Sequence, residues 1–267
     1  MKKLIIFSTA LFLLTCSAVL YAEQVNLSTC EWMPYTGKRI NNNGYVHEIV
    51  NEVFKRSGIA VDIHFYPWAR AYNTAKNGRS DGTFPVYYDE SRLDYFVYSD
   101  SFPGGPVGLY KQKSLEITYA VDPRLDQTTA LKALKQYRFG VVRGYINTKA
   151  FDNASFLKKE VANCDETNLK KLFGGRLDFI FIDKYVAKQI IANKYPHFEA
   201  KLEFMEPPFE VKSLSVAFSK KAKRYESKLK IFNAGLKQLK EENKLTSIME
   251  KHGFLMKNCV KTLVELN

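Results

Sequence analysis

Four places along the chain combine residue types that can hold a small charged molecule. Trp32 and Tyr35 stand in "CEWMPYTG", Trp68 and Arg70 open the stretch "WARAYNTAKNGRSDGTF", Arg92 lies in "YYDESRLDYFVYSD", and Asp183 ends the apolar run "LDFIFID". An arginine guanidinium is a planar fork that grips a carboxylate through two parallel hydrogen bonds. A carboxylate on the opposite wall pairs with an ammonium group, and aromatic rings cover an apolar body or meet a cation face-on. Gly144, just after "GVVR", is expected to begin a helix whose free N–H groups add donors for an anionic end. A zwitterion such as an amino acid satisfies all of these groups at once.

Each group also has an ordinary structural use. A tryptophan near a strand end commonly packs into a core or between lobes. Arg92 has Asp89 and Asp94 close by in sequence, and a surface ion pair is the commoner fate of such an arginine. Asp183 precedes "KYVAKQII" and fits the N-cap of that helix as well as it fits a ligand. The four places gain weight together, because each falls at a strand end or a helix start.

The elements that would position them follow from periodicity. "QVNLST" reads as a strand broken at Pro34; "GYVHEIVNEVFKRSG" places Val46, Ile49, Val50, Val53 and Phe54 on one helical face before Gly58. "GIAVDIHFYP" alternates like a strand, a helix spans 68–77 up to Gly78, and "DGTFPVYY" is another strand. Strand, helix, strand, helix, strand describes a parallel βαβ sheet. A second α/β unit is expected over 114–212, followed by the strand "SLSVAFSK", a long helix with Tyr225, Leu229, Phe232, Leu236 and Leu239 on one face, and a last helix ending at Gly253. Ligands in such sheets sit beyond the carboxyl ends of the strands, where connections diverge.

The bulk properties narrow the class. The chain opens with Lys2 and Lys3, an uncharged apolar run to Leu20, then Ala22 and Glu23, the layout of a secretory signal peptide cut after Ala22; a signal anchor is the alternative. The formal charge of +12 falls by the two lysines to +10 in the exported form. Much of that surplus lies on an amphipathic face after Ser219, which a solvated helix explains, and an exported chain without a recognition motif excludes nucleic acid as a partner. Cys30, Cys164 and Cys259 follow the signal segment. An oxidising compartment permits one disulfide, and Cys164 with Cys259 is the favoured pair because Cys30 is two residues from Trp32. Neither a CxxC nor a metal-spaced His/Cys set occurs, so no cofactor or metal is expected.

In this order and spacing, "WMPYTG", "GYVHEIVNEVFKRSG", "PWARAYNTAKNGRSDGTF", "DESRLDYFVYSD", "GVVRGYINTKAF" and "GGRLDFIFIDKYVA" resemble the periplasmic solute-binding proteins of polar amino acid ABC transporters, family 3, over nearly the whole mature chain. The resemblance implies a two-lobed α/β type II periplasmic-binding fold with a ligand cleft between the lobes. It implies lobe 1 over 23–113 plus 213–267 and lobe 2 over 114–212, with hinge crossings near Lys111 to Lys113 and Leu214 to Phe218. It further implies that Arg92 binds a ligand carboxylate, Asp183 an ammonium group, that Trp32 covers the ligand, that Trp68 lines the pocket, and that Gly144 and Tyr145 touch the carboxylate from the second lobe. Two positions depart from the pattern: "PVYY" at 85–88 and Ile146 stand where small hydroxyl residues are usual, and Arg70 is an additional charge.

These readings point to a monomeric, non-enzymatic periplasmic protein that captures a small polar solute, an amino acid or related carboxylate, for an ABC permease of the inner membrane. Two alternatives stay open. A cleft enzyme of the cyclohexadienyl dehydratase type would use Asp183 or Glu31 as its acid, and a stand-alone sensor would report occupancy to a membrane receptor.

Overall fold

A computed structural model describes residues 24–254; the expected signal segment and Cys259 lie outside them. The first unit contains β1 (Gln24–Thr29), α1 (Tyr45–Arg56), β2 (Ala60–Phe65), α2 (Trp68–Lys76) and β3 (Gly82–Val86). As the periodicity requires, β1 pairs in parallel with both β2 and β3. α1 buries Val46, Ile49, Val50, Val53 and Phe54 along one face and stops where Gly58 turns to φ 68°, a backbone conformation that favours glycine. α2 buries only Ala71 and Ala75, small residues that let the helix lie close on β1, where Ser28 Oγ donates to the Ala71 carbonyl at 2.8 Å.

Two strands, β4 (Phe96–Tyr98) and the long β5 (Phe102–Gln112), lead to the second unit. That unit holds α3 (Gln127–Lys132), β6 (Arg138–Val142), α4 (Lys149–Asn153), β7 (Lys158–Ala162), α5 (Asp165–Phe173), β8 (Phe179–Asp183), α6 (Lys184–Lys194) and β9 (Leu202–Phe204). The chain returns along β10 (Glu210–Ser219) and closes with α7 (Tyr225–Glu241) and α8 (Lys244–Lys251). Among the described residues no helix is long and apolar enough to cross a membrane.

The strand order β2-β1-β3-β10-β5-β8-β6-β7 joins the two units into one curled sheet through β10 and β5. β5 pairs with β10 from Phe102 to Val107, then with β8 from Val107 to Lys111. β10 pairs with β5 as far as Leu214 and with β3 from Ser215 onward. Its register shifts at Val211/Ser213 and Ser215/Ala217; irregularities of this kind bend a strand, and these fall where β10 exchanges partners. On the outgoing strand the exchange comes at Val107, because β5 continues to Gln112 as a strand of the second unit.

β8 is buried on both sides, which is why it reads as an unbroken apolar run. Its Ile180 and Ile182 join the core shared with α1 and α7, which contains Phe54, Phe218 and Phe232, while Phe179 and Phe181 face Leu109, Phe139 and Phe151 in a second core. Asp183, at the end of this rigid strand, is therefore held in place by packing on both faces.

Candidate functional site

The carboxyl ends of β1, β3 and β8 converge, and the residues that follow them meet. After β1, a tight turn closes with Tyr35 N and Thr36 N both donating to the Trp32 carbonyl, at 3.0 and 3.2 Å. This sets Trp32 and Tyr35 side by side, ring centroids 4.7 Å apart. Tyr35 is fully buried against Tyr45 and Phe254, and its hydroxyl donates to Asp183 Oδ2 at 2.7 Å. After β3, the hydroxyl of Tyr87 donates to the same oxygen at 3.0 Å.

Both structural and site-like uses of Asp183 occur together. Oδ1 caps α6, accepting from Tyr185 N at 2.8 Å and Val186 N at 3.1 Å, while Oδ2 takes the two tyrosines. A carboxylate offers about four lone-pair sites, and all four are filled. Burial raises its pKa to about 6, against the hydrogen bonds of Tyr35, the α6 amides and Tyr87. The approach of Tyr35 depends on Gly105 of β5: a β-carbon there would lie 2.7 Å from Asp183 Oδ2 and nearer still to Tyr35 Oη.

Arg92 closes a single 3₁₀ turn, Glu90–Arg92, in which the Asp89 side chain accepts from Ser91 N at 2.9 Å. Asp89 is thereby used locally, and among the described residues Arg92 has no carboxylate partner although it is only 8 % exposed. Its guanidinium lies over the rings of Tyr72, at 4.7 Å, and Trp68, at 5.9 Å. One N–H reaches across to the Gly144 carbonyl at 2.8 Å, and Trp68 Nε1 donates to that carbonyl at 3.0 Å. Residues of the first unit thus grip one backbone oxygen of the second.

Gly144 differs from its expected role. It does not begin a helix: it takes φ 74° in a turn, and α4 starts only after Thr148, whose side chain accepts from Phe151 N. Asn147 is tied to Asp152 of α4 through both its backbone N and its side chain, which anchors the end of the loop that precedes the helix. Gly144 therefore presents an acceptor to the first unit in place of a row of donors. Arg70 is exposed and stacks over Tyr66 at 4.4 Å; it does not line the cavity that the other residues form.

That cavity is lined by Cys30, Trp32, Trp68, Tyr87, Arg92 and Tyr145, closed off by Pro85, Val86 and Ile146. Its volume is about 30 Å³ for the centres of water-sized spheres, room for roughly two waters by that measure, so the walls must part to admit a solute. The rings meet edge to face across it, Trp32 with Tyr87 and Tyr145, and Trp68 with Tyr145, at 5.5, 6.2 and 6.0 Å.

A second buried carboxyl escaped sequence reasoning. Asp165, 5 % exposed in the first turn of α5, accepts from Tyr145 Oη at 3.0 Å. The buried Trp32 indole N–H acts on the same carboxyl but meets no acceptor with full hydrogen-bond geometry. Burial raises the Asp165 pKa to about 7; Tyr145 opposes the shift and the charge of Asp183 adds to it. An acid in a first helical turn is common for dipole reasons alone, so nothing in "NCDETN" separates it from an ordinary one. Burial, with Asp165 and Glu31 near, pushes the Cys30 thiol to about 12, and Tyr35, Tyr87 and Tyr145 are held well above the usual phenol range by burial and by the two acids. These hydroxyls stay protonated and donate to the two acids. Tyr87 did carry a signal, as a large ring where a small hydroxyl residue is usual; Tyr35 was visible beside Trp32.

Cys164 is exposed and Cys30 buried, and they are not bonded to each other; the pairing expected for Cys164 involves a residue outside those described.

Solved structures with this fold include the substrate-binding protein of an amino acid ABC transporter, at 18% identity and TM-score 0.69 over 85% of this chain and 98% of that one. They also include a histidine kinase sensor domain with similarity to periplasmic binding proteins, at 15% identity and TM-score 0.72 over 86% and 96%. A third is the GluR0 ligand-binding core from Nostoc punctiforme in complex with L-glutamate, at 14% identity and TM-score 0.70 over 86% and 100%. No curated protein matches by sequence. The model of the bacterial extracellular solute-binding proteins, family 3, matches residues 28–255, and with its two α/β units and the cleft residues at their strand ends, the chain belongs to that family.

Proposed function

We propose that this chain is a periplasmic solute-binding protein that takes a small carboxylate-bearing solute, an amino acid or related carboxylate, between lobe 1 (23–113 plus 213–267) and lobe 2 (114–212), and presents it as a monomer to an ABC permease. The observation that carries this reading is Arg92. A buried guanidinium without a carboxylate partner is costly; here it faces an aromatic cavity with one N–H already tied to the opposite unit. A ligand carboxylate there receives a two-pronged grip and reinforces contact between the lobes, which is how a hinge protein converts binding into closure.

Trp32 and Trp68 cover the solute, Tyr145 and Gly144 form the wall from lobe 2, and Arg70 braces Tyr66 behind the pocket. Binding without turnover is supported by the position of the acids: Asp165, Asp183 and Glu31 all lie outside the lining of the cavity, the first two buried behind tyrosines and Glu31 exposed and accepting from Lys38 N. The similarity to a sensor domain rests on the fold alone, and the same capture event would serve a receptor in place of a permease.

The test is a thermal-shift screen of the exported form against carboxylates and amino acids. A hit that raises the melting temperature in the wild type and fails to do so in Arg92→Ala supports the reading. A hit that stabilises both proteins equally removes Arg92 from the site.

A further inference from the structure

The chemistry of the cleft says more about the solute than that it carries a carboxylate. A bound ammonium group needs acceptors within about 3 Å, preferably charged ones. The buried acids near this cavity, Asp183 and Asp165, are engaged by the protein, and Glu31, next to Trp32, is exposed, accepts from Lys38 N and does not line the cavity. Asp183 has two backbone N–H groups on Oδ1 and two tyrosine hydroxyls on Oδ2. Asp165 lies behind Tyr145, which donates to it. The Gly144 carbonyl, with two lone pairs, receives both Arg92 and Trp68. Of the residues that line the cavity, Arg92 alone is charged, and Pro85, Val86, Ile146, Trp32 and Trp68 present carbon.

We propose that Tyr35 and Tyr87 occupy the place of a ligand ammonium as donors to Asp183, so that the cleft selects carboxylates with an apolar or aromatic body and no ammonium group.

This inference rests on the carboxylate-binding reading above and narrows it. Tyr35 comes from the turn after β1, Tyr87 from the end of β3 and Asp183 from β8, so the three form a cross-cleft latch that is complete without solute. Tyr35 is not a side chain that swings in by chance: it is fully buried between Tyr45 and Phe254, and β5 carries a glycine where its hydroxyl passes. An amino acid entering here would leave its ammonium facing carbon and the hydroxyl of Tyr87, whose proton is given to Asp183 and whose oxygen is a neutral acceptor only, and a buried charge without a charged partner is strongly disfavoured. The same skeleton without the ammonium loses nothing.

Matched pairs decide the matter. Isothermal titration calorimetry near neutral pH would compare propionate with L-alanine, isocaproate with L-leucine, and hydrocinnamate with L-phenylalanine, using the exported chain. The expected result is that the deaminated member of the best-binding pair binds at least about tenfold tighter, as one unmet hydrogen-bonding group implies. Arg92→Gln then weakens it by a further factor of about ten or more. Tyr87→Phe, which frees one lone pair of Asp183, moves the preference toward the amino acid; Tyr35→Phe provides the same readout should Tyr87→Phe fold poorly. An amino acid that binds tighter than its deaminated partner in the wild type, and is lost in Asp183→Asn, overturns this inference and leaves the solute-binding reading standing. Absence of heat from every pair, with circular dichroism intact, overturns the carboxylate reading itself.

Discussion

Replacing Gly105 by alanine tests whether the tyrosine latch holds the two units together. The added methyl would lie 2.7 Å from Asp183 Oδ2, 2.8 Å from Tyr185 Cδ2 and closer yet to Tyr35 Oη. None of these neighbours is the free end of a flexible chain: Asp183 is pinned by two α6 amides, and Tyr35 is fully buried. Overpacking of a tight site costs ~1–3 kcal/mol, and displacement of a buried hydrogen bond to a carboxylate adds ~1.5–3 kcal/mol. At about 2–4 °C per kcal/mol for a chain of this size, the melting temperature should drop by roughly 5–24 °C. Tyr35→Phe alone removes the hydroxyl and should cost ~1–3 kcal/mol. In the Tyr35→Phe background the closest obstacle is gone, so Gly105→Ala should cost less than in the wild type, with a coupling of at least ~1 kcal/mol between the two changes. Urea denaturation of the four proteins measures the cycle. Additive effects within ~0.5 kcal/mol, or a neutral Gly105→Ala, would refute the argument that this glycine exists for the Tyr35–Asp183 contact.

Stability should also depend on pH in a way set by opposed carboxyl groups. Asp165 and Asp183, raised by burial to about 7 and about 6 from 3.8, favour folding in their protonated forms; their contribution is complete below the unfolded value and is lost as pH rises through 6 and 7. Burial opposes the ionisation of Glu48, yet hydrogen bonds from Lys251 and His252 hold it at about 2, and Glu166 is held at about 2 by Lys194 and Tyr195. Those two contribute stability above their unfolded value of 4.5 and lose it as pH falls toward 2. The melting temperature should therefore peak near about pH 4, and Asp165→Asn should flatten the decline between about pH 4 and 7; a decline parallel to the wild type would sink this assignment. Far from the cleft, Lys228 Nζ meets Asp81 Oδ1 at 2.6 Å with side-chain exposures of 8% and 13%. Lys228→Met strands the acid and should cost ~3–5 kcal/mol without changing solute affinity; an affinity change in calorimetry would contradict that separation.

The amino-acid order by itself determined the ladder of elements, because periodicities of 3.6 and 2 and the glycine stops are local properties. It placed α1, α2, β3, α5, β8 and α6, and it put Trp32, Trp68, Arg92 and Asp183 at strand ends and helix starts. Short strands such as β4, β7 and β9 left no comparable imprint, since three to five residues form a strand only through the neighbour they pair with. What the order could not decide is which of several equivalent local uses a charged residue has. Arg70 and Arg92 are alike in sequence, yet one stacks on Tyr66 in the open and the other is buried between Trp68, Tyr72 and the Gly144 carbonyl. For Asp183, N-cap and site partner were equally legible; the fold assigns one oxygen to each. Its tyrosine partners lie 148 and 96 positions away, and no local pattern encodes a hydrogen bond made only when β5 and β10 bring two units face to face. Saturation of that carboxylate is a property of tertiary closure alone.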